Sequence, residues 1–159
     1  MKTQRAFFLF AAFSVMILLP VSVSAKEKGP VGVGLVVGSP SGLSLAWRMD
    51  DINTIQAAFA WSFMNNPGVS ATADYLFHFD DVLTIDKITI PLYAGLGVKL
   101  DLPLVENTIF GLGLRIPLGA RWVFTEVPLE LFLEIAPGMR FIPDSSFDFG
   151  FCFGGRWYF

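Results

Sequence analysis

The chain has 159 residues, 53% of them hydrophobic and 16% charged, which is material for one domain around one core. A formal charge of −3 without a basic stripe argues against nucleic acid as a partner. The single Cys152 excludes an intramolecular disulfide, so backbone pairing and packing must hold the fold.

Residues 1–25 read as a secretory signal. Lys2 and Arg5 form a charged start, an apolar run covers residues 6–19, and Val23-Ser24-Ala25 supplies the small-residue cleavage pattern, so the mature domain is expected over 26–159. The run is shorter than the roughly 20 residues of a spanning helix, and Pro20 interrupts it. No cysteine follows it to carry a lipid anchor. Cleavage removes two of the 11 basic residues and no acid, leaving nine against 14 and a charge of −5.

Beyond residue 25, Gly, Pro or a charge interrupts every apolar stretch, and alternation with period two dominates instead. It predicts eight strands, over residues 31–38, 42–48, 54–63, 69–79, 88–100, 109–124, 128–141 and 147–159. The punctuation is turn-forming: Ser39-Pro40, Asp50-Asp51-Ile52-Asn53, Asn65-Asn66-Pro67-Gly68, an acidic connection around Asp80, Asp81 and Asp86, and Pro143-Asp144-Ser145-Ser146. The sixth strand is long enough to protrude beyond a bilayer, and Pro91 weakens the ladder early in the fifth.

The faces of these strands are unequal. One carries bulky apolar residues and no charge, such as Leu43, Leu45 and Trp47; the other carries all the strand charges together with many glycines. Glycine facing inward makes room for Arg, Glu and Tyr in a narrow eight-stranded barrel, while aliphatic side chains facing outward suit lipid. A closed barrel is also the one alternative to a helix that satisfies every backbone group in hydrocarbon. With both termini on one side, Trp47, Tyr75, Phe77, Trp122 and Trp157 fall near one rim. Trp61, Phe63, Phe110, Phe141 and Phe147 fall near the other, as two interfacial girdles would. The expected fold is an all-β, eight-stranded antiparallel up-and-down transmembrane β-barrel.

The last strand alternates phenylalanines and closes on Trp157 and Phe159, which looks like the C-terminal signal by which barrel-insertion machinery recognises outer-membrane barrels. With the segments GLVVGSPSGLSLAWR, ADYLFHF, IPLYAGLGVKL, LRIPLGARWVF and PLELFLEIAP, the chain resembles the small outer-membrane barrel family first described in spirochaetes. By architecture it is similar to the eight-stranded OmpA and OmpX barrels. The resemblance implies a location in a bacterial outer membrane after Sec export; it implies no reaction.

The inward charges are the candidate functional residues. A short turn near Thr125-Glu126 sets Arg121 opposite Glu130 and Arg115 diagonal to Glu134, and the following turn sets Arg140 against Asp148. An ion-pair network closing the interior is the expectation, since eight strands leave little room for a pore. Asp74 and His78 share the inward face but stand about 13 Å apart along one strand, too far for a catalytic hydrogen bond, and Ser70 is equally far from Asp74. One His and one Cys on distant strands make a poor metal site. The Gly-X-Gly pairs precede no helix and form no phosphate loop. Cys152 reads as a small inert residue among glycines.

No cofactor or reaction is expected. The leading reading is a non-enzymatic, structural envelope protein whose partners are outer-membrane lipid and the insertion machinery. Two alternatives stand beside it. One is an adhesin or host-factor binder acting through its outer loops, where Asp101, Glu106 and Asn107 offer the most recognition surface. The other is a soluble lipocalin-like carrier of an apolar ligand, with the same strands turned inside out.

Overall fold

The computed structural model describes residues 29–62, 68–85, 88–104, 109–124 and 126–159. The signal-peptide expectation and Phe63, Glu106 and Asn107 lie outside the described residues.

The described residues form an all-β antiparallel sheet of nine strands: β1 (Val31–Gly38), β2 (Gly42–Arg48), β3 (Asn53–Ser62), β4 (Gly68–Ile85), β5 (Ile88–Pro103), β6 (Gly111–Arg115), β7 (Leu118–Val123), β8 (Leu129–Ile142) and β9 (Ser146–Tyr158). Every pair of chain neighbours except β6 and β7 is hydrogen-bonded, and β9 returns to pair with β1. β6 and β7 both lie between β5 and β8 and share one place, so the sheet closes into an up-and-down ring of eight. Alternation located these strands because a ring with one face covered fixes which side of each pleat every residue occupies.

The register gives the ring its shape. Paired residues run from Gly34 through Ser44, Ala58, Thr72, Lys99, Gly113 and Arg140 to Ser146. Ser146 stands six residues before Cys152, which faces Gly38, so one circuit is displaced by ten residues along β1. Such a stagger forces the strands to tilt steeply, and eight tilted strands enclose a space that side chains can fill.

Two predicted strands differ from the observed ones. The sixth is not continuous: it breaks at Ile116-Pro117 into β6 and β7, because Pro117 has no N–H for the ladder. The protruding element is the β4–β5 hairpin. β4 was expected to stop at Phe79 before an acidic connection, yet its backbone continues to Ile85, pairing Leu83 with Ile90 and Ile85 with Ile88. A register shift between Phe79 and Leu83 absorbs Asp80 and Asp81, since backbone pairing does not depend on side-chain polarity. β3 begins opposite Phe77, so this hairpin outruns its neighbour.

Two turns show how short sequences close the hairpins. Between β1 and β2, Gly38 adopts φ +129°, and its N–H donates to Ser41 Oγ at 2.8 Å. Between β2 and β3, Asp50 Oδ1 accepts from the backbone N–H of Ile52 at 2.8 Å and of Asn53 at 2.7 Å, while Asn53 Nδ2 donates to both carboxylate oxygens.

The polarity of the ring is the reverse of a water-soluble protein. Phe147, Val37, Leu96 and Leu35 project outward, Phe147 at 75% exposure. Glu134 (2%), Asp74, Gln56, Arg115, Arg121 and Arg156 are buried in the interior, where the apolar packing is a small cluster around Leu76, Tyr93 and Phe132. Trp47, Phe77 and Trp122 are exposed on the end where Val31 and Phe159 lie, and Trp61, Phe110, Phe141 and Phe147 on the opposite end.

Candidate functional site

The interior side chains form a polar network in two parts, the larger centred on Glu134 of β8 and the smaller on Lys99 of β5. Glu134 accepts from Arg115 of β6, from Gln56 Nε2 of β3 at 2.9 Å and from the hydroxyl of Tyr93 on β5 at 2.9 Å. Arg115 Nε also lies 3.2 Å from Asp74 Oδ1 on β4, and Gln56 Nε2 reaches Asp74 Oδ2 at 3.1 Å. Gln56 thus donates to two carboxylates while its own carbonyl oxygen accepts from Arg156 of β9.

Arg156 links this centre to a second group toward the end of the ring that carries Val31 and Phe159. It donates to Glu130 Oε1 at 3.1 Å and to Ser44 Oγ at 2.9 Å, and its guanidinium lies 4.0 Å from the centre of the Phe132 ring. Glu130 also faces Arg48 at 3.5 Å and Arg121 at 3.7 Å, with the Tyr158 hydroxyl at 3.3 Å. Three guanidiniums therefore gather around one carboxylate. At the other end, Lys99 Nζ pairs with Asp148 at 2.7 Å and lies 3.8 Å from Asp101, whose Oδ1 accepts from Ser70 Oγ at 2.7 Å.

Missing side chains make this density possible. A Cβ at Gly119 would collide with the Tyr93 ring, and one at Gly97 would collide with the Asp74 carboxylate. Each glycine lies directly across the ladder from the side chain that it accommodates. Burying so many charges is costly unless each finds an opposite charge and further hydrogen bonds. Here carboxylates and guanidiniums alternate along the interior.

The sequence-derived pairs fare unequally in this geometry. Arg115 and Glu134 form an ion pair, although the ladder sets Arg115 opposite Gly138 and Glu134 opposite Gly119. Arg121 stands opposite Phe132 rather than Glu130, and it approaches Glu130 along the interior. The expected Arg140–Asp148 pair does not form. The register places Arg140 opposite Ser146, to which it donates at 3.0 and 3.1 Å, and Asp148 opposite Gly138, leaving Asp148 to Lys99 from across the ring. Asp101 is likewise not a loop residue: β5 extends through Pro103 and turns Asp101 toward Lys99 and Ser70.

Asp74 and His78 serve different contacts, Asp74 meeting Arg115 and Gln56 while His78 Nε2 lies 2.8 Å from Thr54 Oγ1. Cys152 is buried opposite Glu134. Among the described residues, no group of three or more His, Cys, Asp or Glu is placed to hold a metal ion. Trp157 pairs with Val33 and Leu129, and the Phe159 N–H donates to Val31 at 2.9 Å, fastening the chain's end to β1.

Sequence reasoning missed Asp74, Gln56, Arg156, Tyr93, Tyr158, Arg48 and Lys99 as members of the network. All were on the inward face by alternation, which was the available signal; some partners sit directly across a hairpin, Gln56 from Asp74 and Arg156 from Glu130, whereas Glu134 draws Arg115, Gln56 and Tyr93 from strands that are not its chain neighbours. No known protein family, curated protein or solved structure matches the chain.

Proposed function

We propose that this chain is a small integral β-barrel of a bacterial outer membrane, non-enzymatic, with a structural role in the envelope and an interior closed by its own charged side chains. The observation that carries the proposal is the reversed polarity, with apolar side chains covering the outside of a closed ring and paired charges filling the inside. In water an apolar surface continuous around the molecule would drive aggregation. In hydrocarbon it is the required exterior, and a ring without edges leaves few backbone groups unpaired. The aromatic residues at both ends suit the two interfaces, and the terminal Trp157 and Phe159 suit recognition by insertion machinery.

The carrier reading asks for an apolar interior with room for a ligand, the opposite of the Glu134 and Glu130 networks. The surface-binding reading loses Asp101 to β5. Heat-modifiable gel mobility of the protein from membrane fractions, with protease treatment of intact cells, tests the proposal. The expected result is a compact band that shifts on boiling and resists external protease. Cleavage confined to 104–110 would favour surface binding; a soluble protein with no shift would overturn the barrel.

A further inference from the structure

The wall of the ring is not uniform, and its irregular part carries a central interior cation. β6 is bounded by Ile116-Pro117 at one end and meets β8 only from Leu112 to Arg115, with a register shift between Leu112 and Gly113. Two prolines then stand at hydrogen-bonding positions on adjoining seams. Gly95 N–H donates to the Pro117 carbonyl at 2.8 Å, and Ile116 N–H donates to the Pro137 carbonyl at 2.8 Å. In an antiparallel ladder each such pair exchanges two bonds. Neither proline can return the second, so the carbonyls of Gly95 and Ile116 lack their ladder donors. Proline in a strand with neighbours on both sides is exceptional for this reason.

The side chains of β6 fit movement as well. Its inward positions are Gly111, Gly113 and Arg115, so Arg115 is the only inward side chain the segment carries. If β6 moves outward, nothing else is dragged through the packed interior. Glu134 keeps its bonds from Gln56 and Tyr93 when Arg115 leaves, so the centre does not lose all its donors at once.

We propose that β6 is a hinged section of the wall, pivoting at Ile116-Pro117, whose outward movement withdraws Arg115 from Glu134 and Asp74 and opens the interior. This goes beyond a closed structural barrel by naming where and how the closure yields, and it does not depend on which membrane holds the protein. The open form is the minor one, because separating Arg115 from two buried carboxylates is unfavourable. Local opening of this kind is read by amide exchange.

The experiment is hydrogen exchange on the folded full-length mature protein in detergent, with reaction of Cys152 with a small methanethiosulfonate as a second reading. Cys152 suits this use because it is the sole cysteine, is 2% exposed and faces Glu134 across the β8–β9 ladder. Amides of Gly113 to Ile116 should exchange about tenfold faster than those of Leu133 and Ile135, the scale of a lost ladder bond or two. Pro137→Val returns a donor to the Ile116 carbonyl from a position outside the interior, and should slow both β6 exchange and Cys152 modification about tenfold. Pro117→Val, which restores the other donor, provides the same comparison if the first variant folds poorly. Equal exchange in β6 and β8, or a folded proline variant with both rates unchanged, overturns the hinge. The heat shift of the same samples reports the barrel reading separately.

Discussion

Glu134 illustrates how a buried charge is made tolerable: its carboxylate is 1% exposed and satisfied by an arginine, an amide and a phenol from three other strands. Glu134→Ala leaves Arg115 with Asp74 alone and should destabilise the fold by about 3 kcal/mol, the scale for a broken buried pair. The folded band on a semi-native gel should then convert at a lower temperature, without conductance appearing in planar bilayers; conductance would mean that the centre holds a pore shut. Removing all three charges, as Arg115→Met with Glu134→Leu and Asp74→Asn, should be milder than Glu134→Ala, since no charge is stranded. Asp50 acts outside the ring wall. Hydrogen bonds from Asn53 and Ile52 hold its carboxyl below the usual value of 3.8. Its folded pKa being depressed, the turn's contribution is full above that value and lost as pH falls through the folded pKa. Asp50→Ala should therefore be less stable than the parent at neutral pH, with the difference shrinking as the pH falls below 3.8 in acid unfolding.

At the scale of elements, closure of the ring depends on β9 pairing with β1, where Gly154 and Gly155 face Val36 and Leu35. Phe159 adds one backbone bond to Val31. Deleting it should reduce membrane assembly in cells more than it lowers the unfolding temperature of protein refolded in detergent. Normal assembly of that truncation would remove the terminal-signal reading. Pairing also explains why β4 and β5 outgrow their predicted ends. Asp80 and Asp81 look like a connection by composition, but the ladder resumes beyond them with Leu83 opposite Ile90, leaving the two acids within a register shift. In β6 and β7 the sequence errs the other way, because alternation runs unbroken through Ile116-Pro117 while the proline denies the ladder a bond.

For the whole molecule, the polarity of the ring makes a prediction that separates bilayer from water. Leu96 is 59% exposed on the outer face near the midpoint of β5. In water Leu96→Lys would be nearly neutral; in a bilayer a lysine at the midplane should cost about 2–4 kcal/mol. Denaturant unfolding from lipid vesicles measures it, and an unchanged midpoint would argue against lipid at that position. Apart from the end of β4 and the break between β6 and β7, alternation by itself determined the strands, their inner and outer faces and the placing of most strand charges on the inner face, because a pleated strand leaves each side chain only two directions. It did not determine who meets whom. Arg140 faces Ser146 rather than Asp148, Asp148 meets Lys99 from across the ring, and Gln56 joins Asp74, Glu134 and Arg156 from three other strands. Arg140–Ser146 and Gln56–Asp74 are set by the register of single hairpins, whereas the partners met across the ring follow from its ten-residue stagger, a property of the last strand meeting the first. No local stretch of sequence encodes it, so only the tertiary structure could decide which charges neutralise one another.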